Sequence, residues 1–316
     1  MRIVAFELTG AERAGILDDQ VIRPLPADTG VLELLASSPA VRAAAAATAG
    51  PAVPVADVRL LPPLRPPSMR DFLAFEEHVE GAARAVEGKD GVPQAWYEQP
   101  AFCFMNPHAV IGAHDEVPIP DGCTLMDYEL EVAAVIGRDG RDLTPDGARH
   151  VIAGYTILND WSARDLQARE MRLGMGPAKG KDFASTLGPC IVTADELAAC
   201  RRDGLLDLKM TVWVNSVRTG GDRTANMAWS FEELVAYASR AAWVRAGDVI
   251  ASGTCASGAL AEAWGRTGKH EPPPLVPGDV VTMTVEGIGT IENKVVPGRG
   301  EACPIPRARR RIGSPE

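Results

Sequence analysis

Hydrophobic and polar positions change period along the chain, and the changes divide it. RIVAFEL (2–8) and AGILDDQVIRPL (14–25) read as short strands joined by a turn, and TGVLELLAS (29–37) reads as a helix. An Ala-rich segment follows. PAVPVADVRLLPPLRPPS (51–68) holds too much proline for a continuous helix, and its RPP before Ser68 marks a boundary. Residues 1–65 are therefore expected to form a small N-terminal α/β domain, with a larger domain over 66–300 and a basic, disordered tail over 301–316. Beyond the boundary, Phe72, Phe75 and Val79 recur at helical spacing, which predicts one helix through DFLAFEEHVEGAARAVEG, with Asp71 at its start and Gly88 at its end.

From there strands dominate. AFCFM, HAVIG, the run into ELEVAAVIG, VIAGYTILNDW, GPCIVT, LLDLKMTVWV, DVIASG, DVVTMTVEGIG and TIENKVV all carry strand signals. NSVRTG marks a hairpin turn, SARDLQAREM is a polar amphipathic stretch, and TANMAWSFEELVAYASR opens toward a helix. The expected class is mixed α/β and β-rich, a mixed or rolled sheet with helices outside it. The regular strand–helix alternation of a doubly wound fold is missing.

Charge narrows the partners. Thirty-two basic against 42 acidic residues give a formal charge of −10, which argues against nucleic acid. The one dense basic run, Arg307 to Arg311, lies in the Pro-rich tail and reads as a solvated terminus. The opening MRIVAFELTG reads as a strand and not a signal peptide, and no apolar run is long enough to span a bilayer. Six scattered cysteines without CxxC spacing suit reduced thiols in a cytoplasmic protein. GMGPAKGKD follows neither a dinucleotide nor a Walker pattern.

The acidic positions change the picture most. In a strand, Glu129 and Glu131 point to one face, yet the continuation AAVIG wants burial on both faces. Two carboxylates entering a buried strand are costly unless a cation or strong donors meet them; the alternative is a solvated edge. Asp127 either shares their face or caps the preceding turn. Asp160 stands where a buried strand gives way to a polar helix, as a ligand or as that helix's cap. Asp71 follows the Pro-rich linker. An oxygen-only set of this kind suits Mg2+, Mn2+ or Ca2+ and poorly suits zinc or copper. His78, seven residues past Asp71 and two turns along the predicted helix, falls on the same side as Asp71 and is the candidate base.

Five segments together resemble the fumarylacetoacetate hydrolase family: RDFLAFEEHV (70–79), MDYELEVAAVIGR (126–138), YTILNDWSARDLQ (155–167), GKDFASTLGP (180–189) and ASGTCASGALAE (251–262). The resemblance covers about residues 69 to 297. It implies a β-sandwich roll with peripheral helices and a small N-terminal domain, assembled as a homodimer. It places the metal carboxylates at Asp71, Glu129, Glu131 and Asp160, holding Mg2+ or sometimes Mn2+ or Ca2+. It also implies a catalytic set of His78, its acidic partner Glu262 and Lys181, with Arg164, Gln167 and Thr254 as substrate-binding residues. Short members carry a glutamate three residues after the histidine; here that position is Gly81, which leaves Glu262 as the partner.

The activity so implied is divalent-metal-dependent hydrolysis of a C–C bond in a 1,3-diketo acid of acylpyruvate or fumarylacetoacetate type, as in aromatic-compound catabolism. His78 would take a proton from water while Lys181 and the metal meet the developing enolate. The substrate is a small anionic oxo acid, and its side-chain preference is expected to lie in residues Ala82 to Pro107, including Trp96, Tyr97 and Asn106, whose aromatics either line a pocket or pack the lid. Two alternatives stand beside it. One is an isomerase, hydratase or decarboxylase that passes through the same enolate without attacking water. The other is a non-catalytic binding protein, which would show a gap in the metal or base set.

Overall fold

The apolar run after Glu131 is buried on both sides, and the main sheet grows around it. In the computed structural model, which describes residues 1–87, 90–300 and 304–309, strand Leu130–Ile136 pairs antiparallel with Ile152–Asp160 and with Val249–Ala251. Alternation then sorts its side chains. Leu130, Val132, Ala134 and Ile136 enter the larger apolar core, while Ala133 and Val135 enter a smaller one on the opposite face. A strand covered on both faces reads as a continuous hydrophobic run, and AAVIG is one.

The twelve-stranded sheet runs, in spatial order, from the N-terminal strands through Arg2–Leu8, Ser185–Thr193, Ile152–Asp160, Leu130–Ile136, Val249–Ala251 and Met69–Phe72 to Phe102–Phe104. A five-stranded sheet of Val217–Arg223, Lys209–Val214, Val280–Val285, Gly289–Val296 and Val117–Pro118 packs against it. Val132 and Ile157 from the first sheet meet Val212 and Met283 from the second in the larger core. This is the expected mixed, strand-rich sandwich, with helices at its periphery. The hairpin predicted at NSVRTG turns at Asn215 and Ser216, both at positive φ (50° and 67°), the conformation a two-residue turn requires.

The first strand lies directly on the main sheet, Arg2 opposite Val192 and Ile3 opposite Ile191. Helices Val31–Ala36 and Pro39–Ala47 follow it, and Leu34 and Leu35 help to close the smaller core. Of the basic tail, residues 304–309 are exposed and carry no helix or strand; the rest lies outside the described residues. Among the described residues no helix is long and apolar enough to cross a membrane, and the five described cysteines are free.

One predicted element is corrected. Asp71 does not start a helix: Met69–Phe72 is a strand, paired in parallel with Val249–Ala251 and antiparallel with Phe102–Phe104. The helix begins only at Glu76. Phe72 and Phe75 mimic helical spacing because one is buried from the strand and the other from the turn that follows. A short apolar run does not reveal which period it belongs to. The predicted stop at Gly88 lies outside the described residues.

Candidate metal centre and active site

The smaller-core face of the main sheet turns acidic at one end. Met69, Ala133, Val135 and Leu158 are its apolar part, and by alternation Asp71, Glu131 and Asp160 extend the same face. Glu129 stands just before the Leu130–Ile136 strand, its backbone N–H donating to Asn159 Oδ1 at 3.0 Å. One oxygen from each of these four carboxylates lies within 4.8 Å of the others, and all four residues are buried. The corrected strand thus delivers Asp71 to the cluster as the mistaken helix was expected to, by a different route.

Such a cluster is unstable by itself. Burial pushes Asp160 up to about 8 and Asp71 up to about 6, against the partial relief of the Lys181 charge. Burial also raises Glu131 well above the usual carboxylate range, and Asp71, Glu129 and Asp160 push it further. Glu129 goes the other way: burial opposes its charge, but Lys181 and Arg164 outweigh that and hold it well below the usual range. The Lys181 ammonium bonds to both Glu129 and Asp160. Burial works against its charge too, yet those two carboxylates keep it firmly protonated. Asp71 Oδ1, Glu131 Oε2 and Asp160 Oδ1 are buried and have no hydrogen-bond partner. Three unpartnered oxygens on one converging set are what a hard divalent cation takes, so the residues fit one. Thr254 supports the cluster from its edge, its hydroxyl donating to Glu131 Oε1 at 3.3 Å. Its loop passes so close to the 69–72 strand that a Cβ on Gly253 (φ 80°) would lie 2.2 Å from the Phe72 carbonyl oxygen.

His78 and Glu262 come together from helices that begin 184 residues apart in phase. His78 Nδ1 lies 3.0 Å from Glu262 Oε1, and His78 Nε2 lies 3.6 Å from Glu129 Oε1. The Glu262 carboxylate is fully buried and held by the backbone N–H groups of Ser257 and Gly258, at 2.7 and 3.2 Å. Gly81 permits the approach: a Cβ there would sit 3.1 Å from Glu262 Cγ and 3.2 Å from its Cα.

Arg164 and Gln167 share the helix Arg164–Met171. The Arg164 guanidinium donates to Glu129 Oε1 at 2.7 Å, to Asp127 Oδ2 at 2.9 Å and to Gln167 Oε1 at 3.0 Å. The last bond ties up the Gln167 carbonyl and leaves its NH2 group for the cavity. Asp127 neither joins the cluster nor caps a turn next to it. Its carboxylate accepts from the N–H groups of Leu260 and Ala261, at 2.9 and 3.0 Å, so it caps the helix Leu260–Thr267 that carries Glu262. The sequence-based reading missed this role, since the capped helix lies 133 residues away. Glu170 was missed as well; its carboxylate accepts from the N–H groups of Ala178, Lys179 and Gly180 and so clamps the loop that leads to Lys181.

A cavity of about 700 Å³ opens over these groups; Asp71, His78, Arg164, Gln167, Lys181 and Thr254 all line it. Asn106 lines it too, but Trp96 and Tyr97 do not. Trp96 is buried and donates to the Leu73 carbonyl at 2.6 Å, and Tyr97 bonds to the Glu76 carboxylate. The ten residues singled out from the sequence thus lie in or beside this cavity: the four carboxylates with Lys181 and Thr254, the His78–Glu262 pair, and Arg164 with Gln167.

A family model described as fumarylacetoacetate (FAA) hydrolase C-terminal matches residues 68–296, and one described as Rv2993c-like, N-terminal, matches residues 1–63. Oxaloacetate tautomerase YisK of Bacillus subtilis is 30% identical over 244 residues, which are 76% of this chain and 74% of that protein. The solved structure of a fumarylacetoacetate hydrolase from Exiguobacterium antarcticum is similar with a TM-score of 0.73 at 28% identity, covering 94% of this chain and 99% of that one. A 5-carboxymethyl-2-hydroxymuconate delta-isomerase from Mycobacterium smegmatis is similar with a TM-score of 0.69 at 25% identity, covering 94% of this chain and all of that one.

Proposed function

Given that the chain belongs to the fumarylacetoacetate hydrolase family, we propose that it is a divalent-metal-dependent hydrolase that cleaves a C–C bond in a 1,3-diketo acid of acylpyruvate type. The observation that carries this reading is the His78–Glu262 pair, at 3.0 Å, set beside the four-carboxylate cluster. A tautomerase or isomerase also needs a base to move its proton; what hydrolysis adds is an attacking water, and His78, oriented by Glu262 at 3.0 Å and lining the cavity, is placed to activate one.

Asp71, Glu129, Glu131 and Asp160 would hold the ion; an oxygen-only set suits Mg2+, Mn2+ or Ca2+, and the family resemblance makes Mg2+ the first choice. When bound, it polarises the oxo or enolate oxygens of the substrate. Glu262 fixes the imidazole proton on Nδ1, so His78 Nε2 is left as an acceptor facing the cavity. Nε2 takes a proton from water, and the water oxygen bonds to the distal carbonyl carbon. The C–C bond then breaks with its electron pair passing to the pyruvate enolate. Lys181, kept charged by its neighbours, offsets that negative charge. The proton returns from His78 to the enolate carbon, giving pyruvate and a carboxylic acid for one water consumed. The Gln167 NH2 group, aimed by Arg164, orients the substrate.

The second reading is tautomerisation or isomerisation of a 2-oxo acid, favoured by the likeness to the Bacillus subtilis tautomerase. Incubating acylpyruvates and oxaloacetate side by side with Mg2+ separates the two. Release of pyruvate and a second acid supports hydrolysis; enol–keto conversion of oxaloacetate with intact acylpyruvate supports the second reading and overturns the first.

A further inference from the structure

Besides its charged groups, the cavity is lined by the apolar side chains of Leu73, Phe104, Met105, Met171 and Pro177. Phe104 is 72% exposed and Leu73 37%, and both present apolar surface to this cavity. Phe104 is nonetheless held, edge-on to Phe102 with 5.5 Å between ring centroids.

The cations lining this cavity, among the described residues, are already engaged. Lys181 bonds to Glu129 and Asp160, and Arg164 to Asp127 and Glu129. Lys179 stands at the rim 2.5 Å from Asp182. That exposed pair is weak by itself. Turning Lys179 toward a substrate carboxylate, however, would leave Asp182 beside a like charge. Arg70 lies 5.8 Å from the Phe104 ring centroid, but it is not among the lining residues and faces Asp248 at 3.6 Å. A second carboxylate at the far end of a substrate would thus lose water against apolar walls and find, among the described lining residues, no cation that is not already paired with a carboxylate; Arg70 Nη1, which has no hydrogen-bond partner, is not in that lining.

Building on the proposed function, we infer that the distal part of the substrate is an uncharged apolar acyl group, alkyl or aryl, and that Phe104 and Leu73 select it over a carboxylate-ended chain. The head of the molecule, the 2-oxo acid, binds at the carboxylate cluster, and the tail lies along the apolar wall.

The test is calorimetric titration of the full chain, in excess Mg2+, with 2-oxohexanoate and 2-oxoadipate. The two share one six-carbon chain and differ at its end, and neither has the 1,3-dioxo group, so neither is cleaved. The wild type should bind 2-oxohexanoate tighter by about 10-fold or more, the scale on which an apolar pocket discriminates. Phe104→Arg, at an exposed position, should move the ratio toward 2-oxoadipate by about 10-fold. Equal or tighter binding of 2-oxoadipate by the wild type overturns this inference and leaves the proposed function standing. An unchanged ratio in Phe104→Arg removes Phe104 from the selecting wall. Binding of neither acid overturns the proposed function and this inference with it.

Discussion

Raising the pH should destabilise the metal-free protein far more than the Mg2+-loaded one. Three carboxylates of the cluster sit above their ordinary range, Asp71 at about 6 and Asp160 at about 8, with Glu131 also raised. A carboxyl whose folded pKa is raised favours the fold while protonated. Its contribution is complete below the ordinary carboxylate pKa and is lost as pH rises through the folded value. The loss therefore runs from about pH 4 to about pH 9. For Asp160, raised from 3.8 to about 8, the part lost above about pH 5.5 is roughly 3 kcal/mol. In a chain of this size that is roughly 6–12 °C in Tm. Glu129 and Lys181 do not offset it. The lowered Glu129 gives stability that is already complete above its ordinary pKa, and the raised Lys181 changes only at more alkaline pH. A bound divalent ion takes over from the protons, and its affinity rises as they leave. At 100 times its dissociation constant it adds about 2.7 kcal/mol. The assay is thermal melting followed by circular dichroism, in EDTA and in excess Mg2+, at several pH values from about 5.5 to about 9. The gap between the two melting curves should widen with pH. Glu131→Gln, which removes one of the unpartnered carboxylate oxygens and keeps the side chain's shape, should lose the gap. A gap that is constant or narrows with pH would refute the reasoning.

Two further substitutions probe the frame around the site. Asp127→Ala takes one of the two carboxylates from the buried Arg164 and uncaps the helix of Glu262, and should cost about 3–5 kcal/mol in denaturant unfolding. Asp127→Asn, which keeps an acceptor for the helix, should cost visibly less, and equal costs would deny the capping role. Gly81→Ala pushes a methyl against Glu262, 3.1–3.2 Å from three of its carbons. It should lower kcat by about 10-fold with a stability change under about 1 kcal/mol; unchanged kcat would show that the two helices yield without moving the dyad.

Much of the site was legible because its chemistry is local in sequence. Glu129 and Glu131 could be paired by strand alternation alone, and a buried run after two acids already asked for a cation. The both-face burial of Leu130–Ile136 followed from the same run. Long-range partners were not legible from pattern. Asp127 reads as one more acid near a turn until the fold brings the N-terminus of Leu260–Thr267 to it. Glu262 was reached through family resemblance, and only the fold shows why Gly81 stands where a side chain would block it. The helix misplaced over Asp71 failed for another reason: four residues of strand and a turn reproduce a helical hydrophobic spacing, and sheet neighbours from both ends of the domain decide the outcome. The apolar wall of the cavity was only partly foreseen, because Leu73 and Met171 lie outside the 82–107 segment.

The central claim is that His78, oriented by Glu262 beside a carboxylate-held ion, activates water for C–C cleavage. Its most direct test compares wild type and His78→Ala for pyruvate release from an acylpyruvate in saturating Mg2+, with Mg2+ binding measured on the same samples. The account predicts turnover lower by about 10²–10⁴-fold and Mg2+ affinity unchanged. Pyruvate release by His78→Ala at the wild-type rate would contradict it.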